Sequence, residues 1–374
     1  MKVRLGDFIQ EFSVRNRAEE DIPVYSVTNT QGFCTGYFDK DVASNDRSTY
    51  KIVPRGCFAY NPSRINVGSV DWQRHEDRVI VSPLYVVFSV SNGLLPQYLY
   101  YYLKSNVALT FIRAAATGSV RDNLKFSMLQ EFSIEMKPLE EQRKVILVLD
   151  SIQQLINLYQ QQLRTLDTLI KARFVEMFRG KNFPLLPLSE VLLPGSSLSY
   201  GIIVPGDYYV GGCPMIRPSD FRNDTLDLNN VYRVDPAIEQ KYSRTRLIGN
   251  EILVQVIGQP GQIIPATEQC AGMNVTRNLA VIRYNPQKID RSYLVAFLRT
   301  EQAQHLLTGG SKQSTLKQLP LGTLKAIEII VPPIELQKIF GRIVSQINKS
   351  KAVVQVALNK AQLLFDSLMQ QYFG

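Results

Sequence analysis

The chain has 374 residues, which is more than one compact core usually contains, so its length predicts two domains of ordinary size. Hydrophobic residues make up 45% of the chain and charged residues 20%, which excludes a disordered or low-complexity protein. The formal net charge of +9 is spread along the chain rather than gathered in a tail. This surplus suits a nucleic acid or another anionic partner without requiring one.

Cysteine and histidine are too few and too scattered for a zinc site or a disulfide framework. They are Cys34, Cys57, Cys213, Cys270, His75 and His305. Reduced thiols predict a cytoplasmic protein. The opening MKVRLGDFIQEF lacks the apolar core of a signal peptide, and no uncharged apolar run approaches the length of a membrane span. We therefore expect neither targeting segment nor membrane anchor.

An internal repeat organises the chain. One constant shift places several residues of the first half on identical residues of the second: Tyr98 on Tyr293, Leu124 on Leu319, Pro138 on Pro333, Glu140 on Glu335, Gln142 on Gln337 and Phe178 on Phe373. Upstream the shift is smaller, where Leu5 falls on Leu188 and Pro23 falls on Pro214. The second copy thus carries about twelve extra residues in its variable middle.

Each copy begins with a region of mixed secondary structure. Short β-prone runs such as RVIVSPLYVVFSV and NEILVQVIG lie between turns rich in Gly, Pro, Tyr and Asn, which predicts a mixed sheet with long loops. Short helices are predicted within it, the clearest over Pro96–Ala116 and Arg291–Leu307. The predicted fold class is α+β, with two mixed α/β domains at residues 1–138 and 181–333.

Each copy ends in a long helix, at residues 139–180 and 334–374. Apolar residues recur there at alternating spacings of four and three, from Val145 to Ile170 and from Phe340 to Tyr372. This repeat is typical of a left-handed coiled coil. A helix of about 40 residues is roughly 60 Å long, so we interpret both as spacers. The simplest arrangement pairs them with each other, antiparallel and with pseudo-two-fold symmetry, while pairing in trans to form a homodimer stays open.

Catalytic motifs are weak throughout the sequence. Asn61-Pro62-Ser63-Arg64 lacks the second proline and the aromatic residue of the loop found in adenine methyltransferases. Glu135-Met136-Lys137 has the E-x-K form of many nucleases, but its repeat mates include Ile330 and Pro332, so we interpret it as the end of a strand. No Gly-rich cofactor loop, P-loop or Ser-His-Asp grouping is evident. The sequence therefore favours a binding protein that is not an enzyme and holds neither metal nor cofactor.

Candidate DNA contacts in the first domain lie in two loops. Tyr60, Asn61 and Arg64 belong to the segment FAYNPSR, in which Arg and amide side chains could bind the edges of guanine and adenine. Ser119, Arg121 and Asn123 belong to a Gly-containing loop whose backbone N–H groups, hydroxyls and cation suit phosphate. Ordinary structural turns remain the alternative for both loops.

The second domain offers matching candidates. Arg217 lies in MIRPSDFRND beside Asp220, and Gln255 and Gln259 flank a glycine-rich turn. The repeat mate of the first domain's phosphate loop runs from Gly309 and offers Lys312, Gln313, Ser314 and Lys317.

The strand-to-helix joint carries a family resemblance. KPLEEQRKVILVLDSIQQLI and its repeat VPPIELQKIFGRIVSQINKS share a Pro-(Leu/Ile)-Glu-x-Gln entry to a long helix, and the stretch from GYFDKD to VSPLYVVF is similar to a target-recognition domain. With these motifs, nearly the whole chain resembles the DNA-specificity subunit of type I restriction-modification systems. The second recognition domain is the looser match.

The resemblance implies a sequence-specific subunit that binds double-stranded DNA through two target-recognition domains, each contacting one half of a split site. The two helices would set the gap and dock two methyltransferase subunits, and motor-nuclease subunits would complete the complex. No cofactor is expected on this chain, since S-adenosylmethionine, ATP and Mg would belong to the partner subunits. Two alternatives remain: a methyltransferase or nuclease with degenerate motifs, and a coiled-coil scaffold for proteins only.

Overall fold

The computed structural model describes residues 1–36, 47–116, 123–222, 225–309 and 318–374. Its contacts divide the chain into unit 1, Met1–Gln160 with Gln355–Gly374, and unit 2, Gln161–Val354. Both boundaries fall inside the long helices, so each unit contains part of both. Small sheets and helices are mixed in each unit, which confirms the predicted α+β class. The four segments predicted from the sequence remain a prediction.

In unit 1 the first domain is built on short strands with helices near its end. Within the described residues the strands are β1 Lys2–Arg4, β2 Ile9–Glu11, β3 Ser26–Thr28, β4 Gly32–Cys34, β5 Lys51–Pro54, β6 Phe58–Tyr60, β7 Val70–Trp72, β8 Arg78–Val81, β9 Val86–Val90 and β10 Ser133–Glu135. The helices are α1 Pro96–Lys104, α2 Asn106–Ala115 and α3 Phe126–Gln130, with 3-10 turns at Leu5–Asp7 and Ile65–Val67.

The central sheet of the first domain has the order β2-β9-β6-β7, with all neighbours antiparallel. Phe58 on β6 pairs with Trp72 on one side and with Phe88 on the other, and the Phe58 and Phe88 rings stack 5.0 Å apart. The chain start pairs with the strand that precedes the long helix, since β1 and β10 form their own antiparallel ladder. This ladder closes the domain around its core, and β10 ends at Glu135, as expected for a strand end.

The helix predicted over Pro96–Ala116 is two helices. Ser105 ends α1 and caps α2, because its side chain accepts a hydrogen bond from the Ala108 N–H at 3.2 Å. The second copy breaks in the same way at Thr300, the repeat mate of Ser105, whose hydroxyl accepts from the Ala303 N–H. The apolar pattern runs through both breaks, so the capping hydroxyl rather than the hydrophobic spacing sets these boundaries.

Unit 2 contains the second domain. Its described strands are β11 Leu185–Pro187, β12 Cys213–Ile216, β13 Phe221–Arg222, β14 Thr225–Leu226, β15 Tyr232–Val234, β16 Ile252–Gln255, β17 Ile263–Pro265, β18 Asn274–Val275, β19 Leu279–Ile282 and β20 Glu328–Ile330. The short helices of the second domain are α5 Pro236–Gln240, α6 Arg291–Leu298, α7 Glu301–Leu307 and α8 Leu321–Ala326. The long helices, which both units share, are α4 Leu139–Phe178 and α9 Ile334–Phe373. The 3-10 turns are Leu188–Val191, Pro218–Asp220, Ser243–Thr245 and Glu268–Cys270.

The second domain repeats the central sheet of the first. The order β17-β16-β19 matches β7-β6-β9, and β16 pairs antiparallel with both neighbours. β11 pairs with β20 as β1 pairs with β10. A further sheet of order β15-β12-β18 joins an antiparallel pair to a parallel one. The repeat inferred from residue identities is thus a repeat of strand pairing.

The long helices α4 and α9 pair antiparallel within this chain. In unit 1, Val145 and Leu149 from the start of α4 share a core with Met369 and Phe373 from the end of α9. In unit 2, the end of α4 packs on the start of α9: Phe174 and Phe178 with Phe340. Every residue of the predicted heptad pattern is buried or half-buried. The antiparallel pair predicted from the sequence is confirmed.

A buried glutamine fixes the start of each long helix. The Gln142 side chain accepts from the Leu95 N–H at 2.9 Å and donates to the carbonyls of Gly93 and Lys137, both at 2.8 Å. Its repeat mate Gln337 makes the same set of contacts in the second copy, with Asp290, Lys288 and Pro332. Both glutamines are fully buried. The last position of the Pro-(Leu/Ile)-Glu-x-Gln motif therefore joins the long helix to the segment that precedes α1 or α6.

Replacing Gln142 with alanine is expected to lower the free energy of unfolding of unit 1 by about 2–4 kcal/mol, because a fully buried side chain is removed and three partly buried backbone groups lose their partner. Hydrogen exchange should show loss of protection at the Leu95 amide, while the Asp290 amide keeps its protection. Gln160→Ala, on the exposed face of the same helix, is the control and should change neither. An unchanged Leu95 exchange rate would contradict the assigned role.

In the described part of the chain, no helix has both the length and the apolar character needed to cross a membrane.

Candidate DNA interface

The loop after β6 is held in a defined shape by its own backbone. The Asn61 side chain accepts a hydrogen bond from the Ser63 N–H at 3.0 Å, and the Asn61 carbonyl accepts from Arg64 and Ile65, both at 2.9 Å. Ile65 is fully buried and anchors the turn in the core. Arg64 lies at the exposed surface of this turn. The loop therefore presents a cation from a rigid support, as a DNA contact requires.

The two candidate loops of the first domain meet. The Ser63 hydroxyl donates to the Asn123 side-chain oxygen at 2.7 Å, and the Leu124 N–H donates to the Pro62 carbonyl at 3.2 Å. Arg113 of α2 also donates to the Asn66 carbonyl at 3.1 Å. Asn61, Arg64 and Asn123 thus lie at one place, although Asn123 is distant from the other two in sequence.

Tyr60 is a core residue, which corrects the expectation that it contacts DNA. Its side chain is 0% exposed, and its hydroxyl donates to the Leu124 carbonyl at 3.2 Å. Burial raises the pKa of the Tyr60 phenol well above its ordinary value, so the group stays neutral. Tyr60 therefore acts on the candidate interface only by fixing the segment that carries Asn123 and Leu124.

The second domain builds the same junction from different residues. Val256 and Ile257 continue from β16, and the Val256 carbonyl accepts from the Leu319 N–H at 2.6 Å. Ile257 forms a bridge with Gln318. Leu319 is the repeat mate of Leu124, so both domains join the loop after the central strand to the segment that follows the second short helix. Gln259 lies exposed at this loop.

Gln255 is buried, which corrects its assignment as a DNA contact. Its side chain is 5% exposed, and its amide donates to the Ile257 carbonyl at 3.0 Å. Its backbone carbonyl accepts from the Gly261 N–H at 3.0 Å. Gly258 and Gly261 adopt φ values of +92° and +98°, which only glycine takes readily, so the turn depends on both. Gln255 closes this turn and leaves Gln259 as its exposed amide.

Arg217 is also occupied within the protein. Its guanidinium donates to Asp220 Oδ1 at 2.9 Å, and its guanidinium carbon lies 5.3 Å from the centre of the Tyr232 ring. The Arg217 N–H donates to Asp220 Oδ2 at 2.8 Å. The Asp220 carboxylate thus accepts from one edge of the Arg217 guanidinium, while the Arg217 side chain stays 35% exposed. The expectation that Arg217 contacts bases stays a prediction.

The remaining candidates fall in loops that the structure does not describe. They are Ser119, Arg121, Lys312, Gln313, Ser314 and Lys317. Their described neighbours, Asn123 and Gln318, lie at the two junctions given above. Their assignment as phosphate contacts stays a prediction.

One cationic cluster beside the first junction was not anticipated from the sequence. Lys104 Nζ donates to the Gly68 carbonyl at 2.5 Å and lies 5.6 Å from the centre of the Tyr100 ring. Arg74, bonded to the buried Asp71 at 2.9 Å, lies over Trp72 and Tyr100. Burial lowers the pKa of Lys104, an effect that Asp71 partly opposes. The only signal in the sequence was the spacing of aromatic and basic residues around Trp72, which also fits an ordinary polar loop.

The described residues contain no group of three or more His, Cys, Asp or Glu placed to hold a metal ion. What the two junctions offer is amide, hydroxyl and guanidinium groups on rigid turns, which are groups that bind phosphates and base edges.

Similarity to known proteins identifies the family of this chain. The family model for the type I restriction modification DNA specificity domain matches residues 2–168 and 203–361. The EcoBI type I restriction enzyme specificity subunit of Escherichia coli is 28% identical over 183 residues, which are 49% of this chain and 38% of that protein, so the match spans well under half of that relative. A putative type I restriction enzyme specificity subunit, MjaX, of Methanocaldococcus jannaschii is 22% identical over 330 residues, 82% of this chain and 74% of that protein.

Two solved structures share the fold. The S subunit of a type I restriction-modification system from M. genitalium superposes with a TM-score of 0.60 at 15% identity, covering 100% of this chain and 96% of that one. A chain from a study of complex assembly and conformational transition of the type I system gives a TM-score of 0.56 at 18% identity, covering 100% and 97%. Since the family model matches most of the sequence, once in each half, the chain belongs to the family of type I restriction-modification DNA specificity proteins.

Proposed function

We propose that this chain is the DNA-binding specificity subunit of a type I restriction-modification complex, in which each domain contacts one half of a bipartite DNA site. The chain itself has no catalytic role in this proposal. Methyl transfer with S-adenosylmethionine belongs to two methyltransferase subunits, and ATP- and Mg-dependent translocation and cleavage belong to motor-nuclease subunits. The complex acts in the cytoplasm, where bacterial DNA lies.

The matched junctions carry this proposal. In both domains the loop after the central strand is hydrogen-bonded to the segment around Leu124 or Leu319, so one scaffold is used twice. The exposed side chains on it differ: Arg64 is exposed in the loop of the first domain and Gln259 in the loop of the second. Arginine pairs bidentately with guanine and glutamine with adenine. A shared scaffold with different side chains supports two half-sites of unrelated sequence.

The test is reconstitution with the partner methyltransferase. The purified chain alone should neither methylate nor cleave DNA, and the complex should enrich one bipartite sequence from a random duplex pool, which methylome sequencing of cells carrying both proteins should also find. Methyl transfer or cleavage by the chain alone, abolished by a point change in it, would support the enzyme alternative. Failure of the complex to enrich any sequence would support the scaffold alternative.

Arg64→Ala and Gln259→Ala should each weaken binding of the reconstituted complex to its duplex by about 1–3 kcal/mol, because each removes one side-chain contact to a base edge. Each should relax the base preference in one half-site only, and the two half-sites should differ. Arg55→Ala is a charge-matched control, since Arg55 is exposed at the opposite end of β6. Equal losses for Arg55→Ala and Arg64→Ala would indicate a general charge effect and contradict the assignment.

A further inference from the structure

A loop of unit 2 exposes an unusual concentration of apolar side chains. Between residues 203 and 210 the exposed fractions are 51% for Ile203, 70% for Val204, 55% for Tyr208, 48% for Tyr209 and 84% for Val210. Single exposed hydrophobics are common, but five within eight residues are unusual, and clustered exposed apolar side chains mark a surface that contacts another molecule. We call residues 203–210 the apolar loop.

The apolar loop is fastened to β15 by hydrogen bonds and a ring contact. The Tyr232 hydroxyl donates to the Gly206 carbonyl at 2.8 Å, and the Tyr209 N–H donates to the Arg233 carbonyl at 3.1 Å. The rings of Tyr208 and Tyr232 meet edge to face with their centres 5.6 Å apart. The fold itself therefore holds these side chains outward, and little ordering entropy would be lost on binding.

The described part of the first domain has no counterpart of the apolar loop. The repeat shift is larger from Pro23 to Pro214 than from Leu5 to Leu188, so the second copy is the longer one between these positions. The matching stretch of the first domain includes the polar run RNRAEED at residues 15–21. A partner that docks alike on both repeats would need the same surface twice. The asymmetry instead fits a partner whose two halves differ, as the two half-sites of the proposed DNA target do.

The apolar loop adjoins the junction that carries Gln259. The carbonyl of Ile202, the buried residue just before the loop, accepts from the Arg277 N–H at 2.9 Å. The next residue, Asn278, accepts through its carbonyl from the Val256 N–H at 2.8 Å. One short turn thus lies between the apolar loop and the loop of Gln259. The Arg277 side chain on this turn is exposed, and within the described ranges no acceptor pairs with it.

We propose that the apolar loop is a DNA contact of the second half-site, with its valine and tyrosine side chains against sugars and bases in a groove and Arg277 on a neighbouring phosphate. Apolar side chains bind thymine methyl groups and partly unstacked base steps, which gives sequence preference without hydrogen bonds. Arg277 supplies the positive charge, because the only charged residue of the loop itself is the exposed Asp207. The inference rests on the proposed function and adds to it a specificity element in one domain only.

The test uses the full complex with methyltransferase subunits and the duplex that the wild-type complex methylates. Val204→Ser with Val210→Ser should reduce affinity on the order of tenfold or more, from the loss of buried apolar area, and should relax base preference in the second half-site alone. Arg277→Ala should reduce the slope of log affinity against log salt by about one. Ile248→Ser, an exposed apolar residue at the other end of β16, should have no effect.

Unchanged DNA affinity of the double serine variant would overturn the proposal. So would loss of methyltransferase subunits from that variant with DNA binding otherwise retained, because the loop would then be a protein interface. Equal melting temperatures exclude a folding defect, as expected for exposed side chains. If the wild-type complex selects no DNA sequence, the proposed function fails together with this inference, whereas a selective wild type with an unaffected variant rejects the inference alone.

Discussion

Replacing Phe178 with alanine is expected to lower the free energy of unfolding of unit 2 by about 3–5 kcal/mol, the cost of removing a large buried ring that its surroundings cannot replace. Phe178 is 0% exposed. Its ring centre lies 4.7 Å from that of Tyr293 and 5.5 Å from that of Phe340. One residue therefore joins the end of α4 to the start of α9 and to α6 of the second domain, and its loss loosens all three.

Urea unfolding followed by circular dichroism measures this effect, and hydrogen exchange locates it. Protection should fall in α6 and at the start of α9, while the first domain keeps its exchange rates. Val175→Ala is the control on the same turn of α4, because Val175 is 45% exposed and should change stability little. A loss below about 1 kcal/mol for Phe178→Ala would mean that the aromatic cluster is loosely packed.

The repeat mate of Phe178 gives an internal comparison. Phe373 packs on Tyr98 at 5.0 Å in unit 1, as Phe178 packs on Tyr293 in unit 2, but Phe373 is 8% exposed whereas Phe178 is fully buried. Phe373→Ala should therefore destabilise unit 1 by less than Phe178→Ala destabilises unit 2.

The long helices and the repeat could be predicted because both are properties of local sequence. Heptad spacing sets an apolar stripe without reference to the rest of the chain, and its residues are buried or half-buried as expected. The break at Ser105 was missed because the apolar pattern continues across it, and only the hydroxyl that caps α2 marks the boundary. A serine or threonine inside an amphipathic run, repeated at Thr300, was the available signal.

The candidate interface could be predicted only in part, because residue type does not decide burial. Tyr60 and Gln255 lie in strand runs whose side chains the surrounding sheets and helices cover, which depends on partners distant in sequence. The ion pair of Arg217 with Asp220 could have been expected from the sequence, since the two residues are only three positions apart. The apolar loop was missed because Pro205-Gly206 marks only a turn, and a turn signal does not show that the apolar side chains on both sides of it stay exposed.

Exchange of residues 181–333 for the same region of another family member should change one half of the methylated sequence completely and leave the other half unchanged. The reason is that each junction and its exposed side chains belong to one domain. The structure also defines which donor regions will fold. They need an aromatic residue at the position of Tyr293, because Phe178 and Phe340 stay in place and pack on it.

Donor regions also need a backbone carbonyl at the position of Lys288 and a backbone N–H at the position of Asp290, because the retained Gln337 binds both groups. Any residue except proline at the position of Asp290 provides the N–H. Methylome sequencing of cells carrying each chimera and the native methyltransferase measures both halves at once. A chimera with an aliphatic residue in place of Tyr293 is the matched control and should fail to assemble rather than change specificity. A change in both halves of the methylated sequence would contradict the assignment of one half-site to each domain, because the first domain and its junction are untouched in every chimera.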